Sequence, residues 1–281
     1  MIKKIHQVWI QGPQHYQDTH PHFYKFSQRL QELFPDFEYK LWGETDFLPL
    51  MSLKLQETYK SAPSFSAKSD IARYWILERE GGHYADTDYE PFKRYDYLFE
   101  HMDLVVVAMH LSKNKLLFGN YRYGTAWMYA TPHHTLCQHM LQQFEETPFD
   151  KKKFTPFDYA WQITGPKGFG NMMVKLNLEQ NSKVRILPHP MIETADFSTV
   201  AMASMSEQEI LKEYPYAVGV HRMDGSWIAN AKSLKQTFGV FYTWLTSWND
   251  FINIGLASCL LLLPLVIWLI WFLRKRRRIS R

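Results

Sequence analysis

Two hydrophobic rhythms alternate along the chain, and their order sets the expected fold class. Residues 3–12, Lys-Lys-Ile-His-Gln-Val-Trp-Ile-Gln-Gly, read as a buried first strand opening into a glycine-ended loop. Phe23, Phe26, Leu30 and Leu33 then recur at helical spacing up to Phe34-Pro35, and 37–42 alternates like a second strand. Residues 45–60 are predicted helical with a break at Pro49. Ile71, Tyr74, Trp75 and Leu77 give a further helical stripe, capped by Ser66 or Ser69 and stopped at Gly81. After it His83-Tyr84-Ala85 is extended. The run 103–109 has the unbroken apolar character of a buried parallel strand, and 125–130 reads as another. Leu136, Met140, Leu141 and Phe144 mark a helix, with His133 and His134 on the surface at its start; 184–188 and 216–221 are late strands. The polar segment 145–160 is expected to be an exposed loop. Strands alternating with helices predict an α/β protein, a sheet with helices on its faces.

One stretch obeys neither rhythm. Residues 251–273 carry no charge over 23 positions. As a helix they would extend about 34 Å, enough for a hydrocarbon core roughly 30 Å thick. Trp268 and Trp271 suit an interfacial belt, and a basic tail, 274–281, follows at once. The expectation is a single C-terminal transmembrane helix, preceded by an aromatic juxtamembrane segment at 236–250 and a catalytic domain over 1–235. The positive-inside rule places the tail in the cytoplasm and the large domain outside or in a lumen. Met1–His6 has no apolar core of a signal peptide, which argues for a cytoplasmic domain. A Golgi-type membrane and a bacterial inner membrane both stay open.

Composition changes this picture in one respect. The net charge of +4 is more than supplied by the six basic residues of the tail, leaving about −2 for the rest. The large domain therefore has no electrostatic claim on nucleic acid. The two cysteines, Cys137 and Cys259, lie in a globular and an apolar stretch and are not expected to pair.

Candidate chemistry concentrates at 66–91. Asp70 and Arg73 are three apart and share a helix face. Asp86 and Asp88 follow an extended segment, where residues two apart point the same way, so both carboxylates are expected to aim at one cation. Oxygen ligands of this kind suit Mg²⁺ or Mn²⁺, ions that bring phosphates with them. An Asp-X-Asp alone is also an ordinary solvated turn. A second cluster is His221-Arg-Met-Asp-Gly-Ser226-Trp227, where His221 reads equally as a loop histidine. Trp9 reads equally as core.

Taken together, Ser69-Asp70-x-x-Arg73-Tyr74, Gly81-Gly82-x-Tyr84-x-Asp86-Thr87-Asp88, Ile5–Ile10, Thr164-Gly165-Pro166 and the His221–Trp227 loop resemble the Asp-X-Asp sugar-binding-region glycosyltransferases. Inositol-phosphorylceramide mannosyltransferases and initiating α-mannosyltransferases of fungi are the nearest members. The resemblance implies a GT-A-type, Rossmann-like mixed sheet and a metal-dependent retaining transferase. Its donor would be a nucleotide-diphosphate sugar, GDP-mannose or a UDP-hexose. It further implies that Asp86, Asp88 and His221 hold Mn²⁺ or Mg²⁺, with Asp70 and Arg73 on sugar hydroxyls. Trp9, Tyr84, Ser226 and Trp227 would bind the donor, and Thr164-Gly165-Pro166 would border the acceptor. A membrane-tethered cleft favours a lipid or lipid-linked glycan acceptor, such as an inositol phosphosphingolipid. Departures are His83 and Ala85, which flank Tyr84 where relatives carry aliphatic residues. Two rival classes remain: an inactive sugar- or lipid-binding membrane protein, and a metal-dependent phosphohydrolase, which would need more ligands than this sequence assembles.

Overall fold

The computed structural model describes residues 1–108, 123–192 and 205–222. The segments 236–250, 251–273 and 274–281, with Ser226 and Trp227, lie outside them. Among the described residues no helix is long and apolar enough to cross a membrane.

A six-stranded mixed sheet organises the chain. Its strands are β1 (Lys4–Val8), β2 (Glu38–Trp42), β3 (Gly82–Ala85), β5 (Leu104–Ala108), β6 (Tyr123–Ala130) and β7 (Val184–Leu187), in the order β2-β1-β3-β6-β5-β7. β1 runs parallel to β2 and β3, whereas β6 is antiparallel to both β3 and β5. The apolar run at 103–109 thus has an antiparallel neighbour as well as a parallel one, β7. An unbroken apolar pattern reports burial on both faces, which β5 has, and says nothing of strand direction.

Helices cover both faces. One face of the sheet packs Leu55 of α4 (Leu53–Ser61), Ile71 and Trp75 of α5 (Phe65–Glu80), Phe144 of α6 (Thr135–Glu146) and Phe169 of α8 (Pro166–Lys175) into one apolar cluster. The other packs Leu30 of α2 (Pro21–Leu33) with Ile5, Ala85, Phe99, Val105 and Trp127. Short helices α1 (Pro13–Thr19), α3 (Glu44–Phe47), α7 (Pro156–Tyr159) and α9 (Glu207–Glu213) complete the set. α3, a 3₁₀ turn at Leu48–Leu50 and α4 reproduce the helix–break–helix expected around Pro49. α7 interrupts the loop expected at 145–160. His134 caps α6 through its ring, accepting from the Leu136 amide, and is only half-exposed.

α5 is the central helix, and it is capped one turn earlier than the apolar stripe suggests. Ser64 accepts from the Ala67 amide at 3.2 Å, ahead of both Ser66 and Ser69. Its middle is buried all round rather than along a stripe, Asp70 to Leu77 included. The stop at Gly81-Gly82 is steric as well as conformational. Gly82 has φ 99°, and a Cβ there would stand 2.7 Å from the Lys4 carbonyl oxygen. The close approach lets β3 slide in beside β1.

A two-stranded antiparallel ribbon, β4 (Tyr89–Pro91) with β8 (Gly219–His221), stands off the main sheet and pairs Tyr89 with His221.

Candidate active site

In the sheet order β2-β1-β3, strand order reverses at β1, and open α/β sheets place ligands beyond the carboxyl ends of strands at such a reversal. Trp9 follows β1 and Asp86 follows β3, so both stand at this edge.

Asp86 and Asp88 converge by a turn, not by strand periodicity. β3 ends at Ala85, and the Tyr89 amide donates to the Asp86 carbonyl at 3.0 Å, closing a turn over 86–89. β4 begins at Tyr89, and its pairing with β8 delivers His221 from 133 positions away: His221 Nε2 lies 3.2 Å from Asp88 Oδ1. The Arg222 amide donates to the Asp88 carbonyl at 3.0 Å, and the Arg222 guanidinium grips Glu90, which locks the ribbon from its outer side.

α5 supplies the other charges. Arg73, 3 % exposed, donates through Nη2 to Asp86 Oδ1 at 2.7 Å and sets Nη1 3.1 Å from Asp70 Oδ1. Its guanidinium lies 4.6 Å from the centre of the Tyr84 ring, and the Tyr84 hydroxyl also donates to Asp86 Oδ1, at 2.8 Å. Both bonds fall on one oxygen, leaving Oδ2 for another partner. The Nη1–Asp70 contact is an ion pair without hydrogen-bond alignment, and among the described residues neither Nη1 nor Nε has a hydrogen-bond acceptor. Two buried guanidinium donors without acceptors are costly unless a ligand oxygen completes them.

Asp70 is fixed from the far side by Thr164, whose hydroxyl donates to Oδ2 at 2.8 Å. Thr164 closes a π-helical turn, Ala160–Thr164, before the Gly165-Pro166 start of α8. Such widened turns recur at functional sites because they displace one side chain from the regular ladder. Burial pushes the Asp70 carboxyl up to about 6, against the pull of Arg73 and Thr164. Burial also raises Asp86; Arg73 draws it back down, and the Asp88 charge adds to the rise. Burial works against the Arg73 charge, yet Asp86, Tyr84 and Asp70 hold it protonated well above its ordinary value.

The structure therefore brings Asp70, Arg73, Tyr84, Asp86, Asp88 and His221 together. Tyr84 is buried and acts on Asp86 from beneath rather than lining an open surface. Trp9 is half-buried, 4.9 Å from the Tyr16 ring and 4.7 Å from His20, with its indole N–H donating to His15 Nδ1 at 3.1 Å. Residues missed from the sequence are Gln7, Tyr16 and Ser27, which lie behind the turn. The one signal was a glutamine inside an apolar strand.

One ligand atom from each of Asp86, Asp88 and His221 lies within 4.8 Å of the others. Two carboxylate oxygens and one imidazole nitrogen at that spacing suit a divalent cation tolerant of mixed donors, Mn²⁺ above Mg²⁺, with phosphate oxygens completing its shell. The residues present fit the ion.

Residues 21–105 match the family described as the glycosyltransferase sugar-binding region containing a DXD motif. Over 192 residues the chain is 25% identical to inositol phosphoceramide mannosyltransferase 1 of Schizosaccharomyces pombe, covering 66% of this chain and 54% of that protein. The chain thus spans about half the length of this relative. Solved structures with some likeness include a glycosyltransferase involved in glycosylating the major capsid of PBCV-1, at TM-score 0.43, 10% identity, and coverage of 85% of this chain and 100% of that one. Another is the PaToxG glycosyltransferase, at TM-score 0.40, 15% identity, and coverage of 64% and 71%.

Proposed function

We propose that this chain is a membrane-anchored, metal-dependent retaining hexosyltransferase of GT-A architecture, on the match of residues 21–105 to the glycosyltransferase sugar-binding region containing a DXD motif. Mannose is the favoured sugar and a lipid or lipid-linked glycan the acceptor. The observation that carries the metal dependence is the meeting of His221 with Asp88 at 3.2 Å across the β4–β8 ribbon, beside Asp86. The sugar and the lipid rest on the 25% identity to the fission-yeast mannosyltransferase and on the uncharged stretch 251–273.

Asp86, Asp88 and His221 would hold Mn²⁺ or Mg²⁺, which when bound supplies positive charge against that developing on a departing nucleoside diphosphate. Arg73 opposes the rise that burial imposes on the Asp86 carboxyl and sets its rotamer. Asp70 offers an acceptor, and Nη1 and Nε of Arg73 offer donors, to sugar hydroxyls, holding the anomeric carbon for attack. Trp9, which follows β1 at the same sheet edge, would stack on a nucleobase, and Ser226 and Trp227 would add donors to the diphosphate. Retention follows the family likeness. The acceptor hydroxyl attacks on the leaving-group face and passes its proton to the departing diphosphate oxygen as the bond from anomeric carbon to that oxygen breaks.

The test is a donor screen of the detergent-purified protein with GDP-mannose, UDP-glucose, UDP-galactose and UDP-N-acetylglucosamine. Each is run with Mn²⁺ and with chelator, following nucleotide release. Metal-dependent release from one donor is expected. Silence with all four and no Mn²⁺-dependent thermal shift would overturn the reading in favour of an inactive binding protein.

A further inference from the structure

We propose that Gln7 is a positioning residue: with Tyr16, Ser27 and Tyr39 it clamps the backbone of the Asp86–Tyr89 turn from behind and so sets the affinity of the carboxylates for their cation. The inference rests on the metal reading above.

Gln7 is fully buried on β1, sharing a face with Ile5 against α2. Its amide is completely specified. Nε2 donates to the Asp86 carbonyl at 3.1 Å, while Oε1 accepts from Ser27 Oγ at 2.6 Å and from the Tyr39 hydroxyl at 2.7 Å. Flipping the amide would set its oxygen against the Asp86 carbonyl, so only one orientation serves. The protons then follow in one direction. The Ser27 proton is spent on Gln7, so at the 3.0 Å Tyr16–Ser27 contact tyrosine is the donor. The same Tyr16 hydroxyl lies 3.3 Å from the Thr87 carbonyl and shares its proton with it.

The turn is thereby held at two successive carbonyls by groups from β1 and α1, with α2 and β2 fixing those groups in turn. The Asp86 carbonyl accepts two bonds, from Gln7 and from the Tyr89 amide, which uses both its lone pairs. Arg73 and Tyr84 fix only the Asp86 side chain. Nothing in that pair constrains Asp88, whose backbone is held from one side by the Arg222 amide of the ribbon and from the other through the peptide units of Asp86 and Thr87. A fully satisfied buried network of this kind rigidifies what it touches, and each unmade bond leaves a group without a partner.

The test uses the full-length protein in detergent with two variants. Gln7→Met keeps side-chain length and packing but removes the amide. Tyr16→Phe removes only the hydroxyl and leaves the ring against Trp9. Mn²⁺ binding is followed by electron paramagnetic resonance, and amide hydrogen exchange by mass spectrometry on peptides spanning 84–92. Each variant is expected to raise the Mn²⁺ midpoint about tenfold and to speed exchange in that peptide by a similar factor, in molecules whose circular dichroism is native. Tyr129→Phe, which deletes a comparable hydroxyl contact to the Ile2 amide away from the turn, should move neither. Unchanged exchange and an unchanged midpoint in folded variants would overturn the inference. If Gln7→Met does not fold, Tyr16→Phe decides alone. A wild-type protein that binds no Mn²⁺ would sink the metal reading instead, and the exchange measurement would still decide whether the clamp exists.

Discussion

Asp88 and Arg73 divide the work at the residue scale, and their substitutions should fail in different ways. Asp88 is partly exposed and meets His221. Asp88→Asn keeps the shape and removes the charge, so Mn²⁺ dependence should vanish and transfer fall on the order of a hundredfold or more. Unfolding free energy should move by less than about 1 kcal/mol, because losing the contact with His221 is offset by relief of the repulsion between Asp88 and Asp86. Nucleotide release and a urea melt on the same preparation check both halves. Arg73→Lys is the converse. A point charge cannot span Asp70 and Asp86 as the planar fork does, so one carboxylate is left buried without its partner. A loss of roughly 2–3 kcal/mol of stability is expected alongside the loss of activity, read from the urea midpoint. These two side chains were legible in the sequence because motif spacing placed them. The burial that separates their roles was not, since it depends on α5 being covered on every side.

Among the elements, β1 and β3 each carry a buried histidine whose protons can be counted. His6 Nε2 bonds the Gly81 carbonyl at 2.9 Å while Nδ1 accepts from the Trp42 indole at 3.1 Å. His83 Nδ1 bonds the Met128 carbonyl at 3.1 Å, and Nε2 accepts from the Tyr95 hydroxyl at 2.9 Å. Each ring has one nitrogen donating and one accepting, so each is neutral; at His6 a second proton would set a donor against the Trp42 indole N–H. Burial accordingly depresses His6 to about 4 and His83 to about 3. The unfolded chain then binds more protons than the folded one below pH 6.5. The stability held above that value is lost as pH falls toward 4 and 3, at about 1.4 kcal/mol per unit for each ring. Urea melts at pH 7 and pH 5 should differ by about 4 kcal/mol from these two groups, and His6→Gln should halve that difference. A slope unchanged by His6→Gln would refute the assignment. The β4–β8 ribbon makes a second prediction at this scale. A Cβ on Gly219 would stand 2.2 Å from the buried Tyr89 hydroxyl oxygen and 2.7 Å from the Glu90 carbonyl oxygen. Gly219→Ala should therefore push β8 off β4 and weaken Mn²⁺ binding about tenfold by calorimetry, although no ligand is changed. Nothing in the sequence announces this ribbon. Periodicity finds elements, and here it found nearly all of them. It does not find partners, and so the antiparallel neighbour of β5 could not be read, while the meeting of His221 with Asp88 was implied by the family resemblance and not by periodicity.

The whole chain joins a charged candidate site to an uncharged stretch at 251–273. The six basic residues after 273 more than supply the net charge of +4, so the rest of the chain is slightly acidic and has no electrostatic attraction of its own to an anionic lipid surface. If the acceptor is a lipid, the concentration of that lipid at the cleft must come from the anchor, as an effective concentration set by tethering rather than by affinity. Deleting 250–281 separates the two. The shortened protein should bind Mn²⁺ and release nucleotide from its donor with water as acceptor at rates like those of the full chain. Turnover of a lipid acceptor presented in vesicles should fall at least tenfold, while turnover of a short-chain soluble analogue of the same acceptor should not. Equal losses on both acceptors would mean that the segment supports the fold of the catalytic part. No loss on either would mean that the acceptor reaches the cleft from water, and the lipid assignment would give way to a soluble glycan.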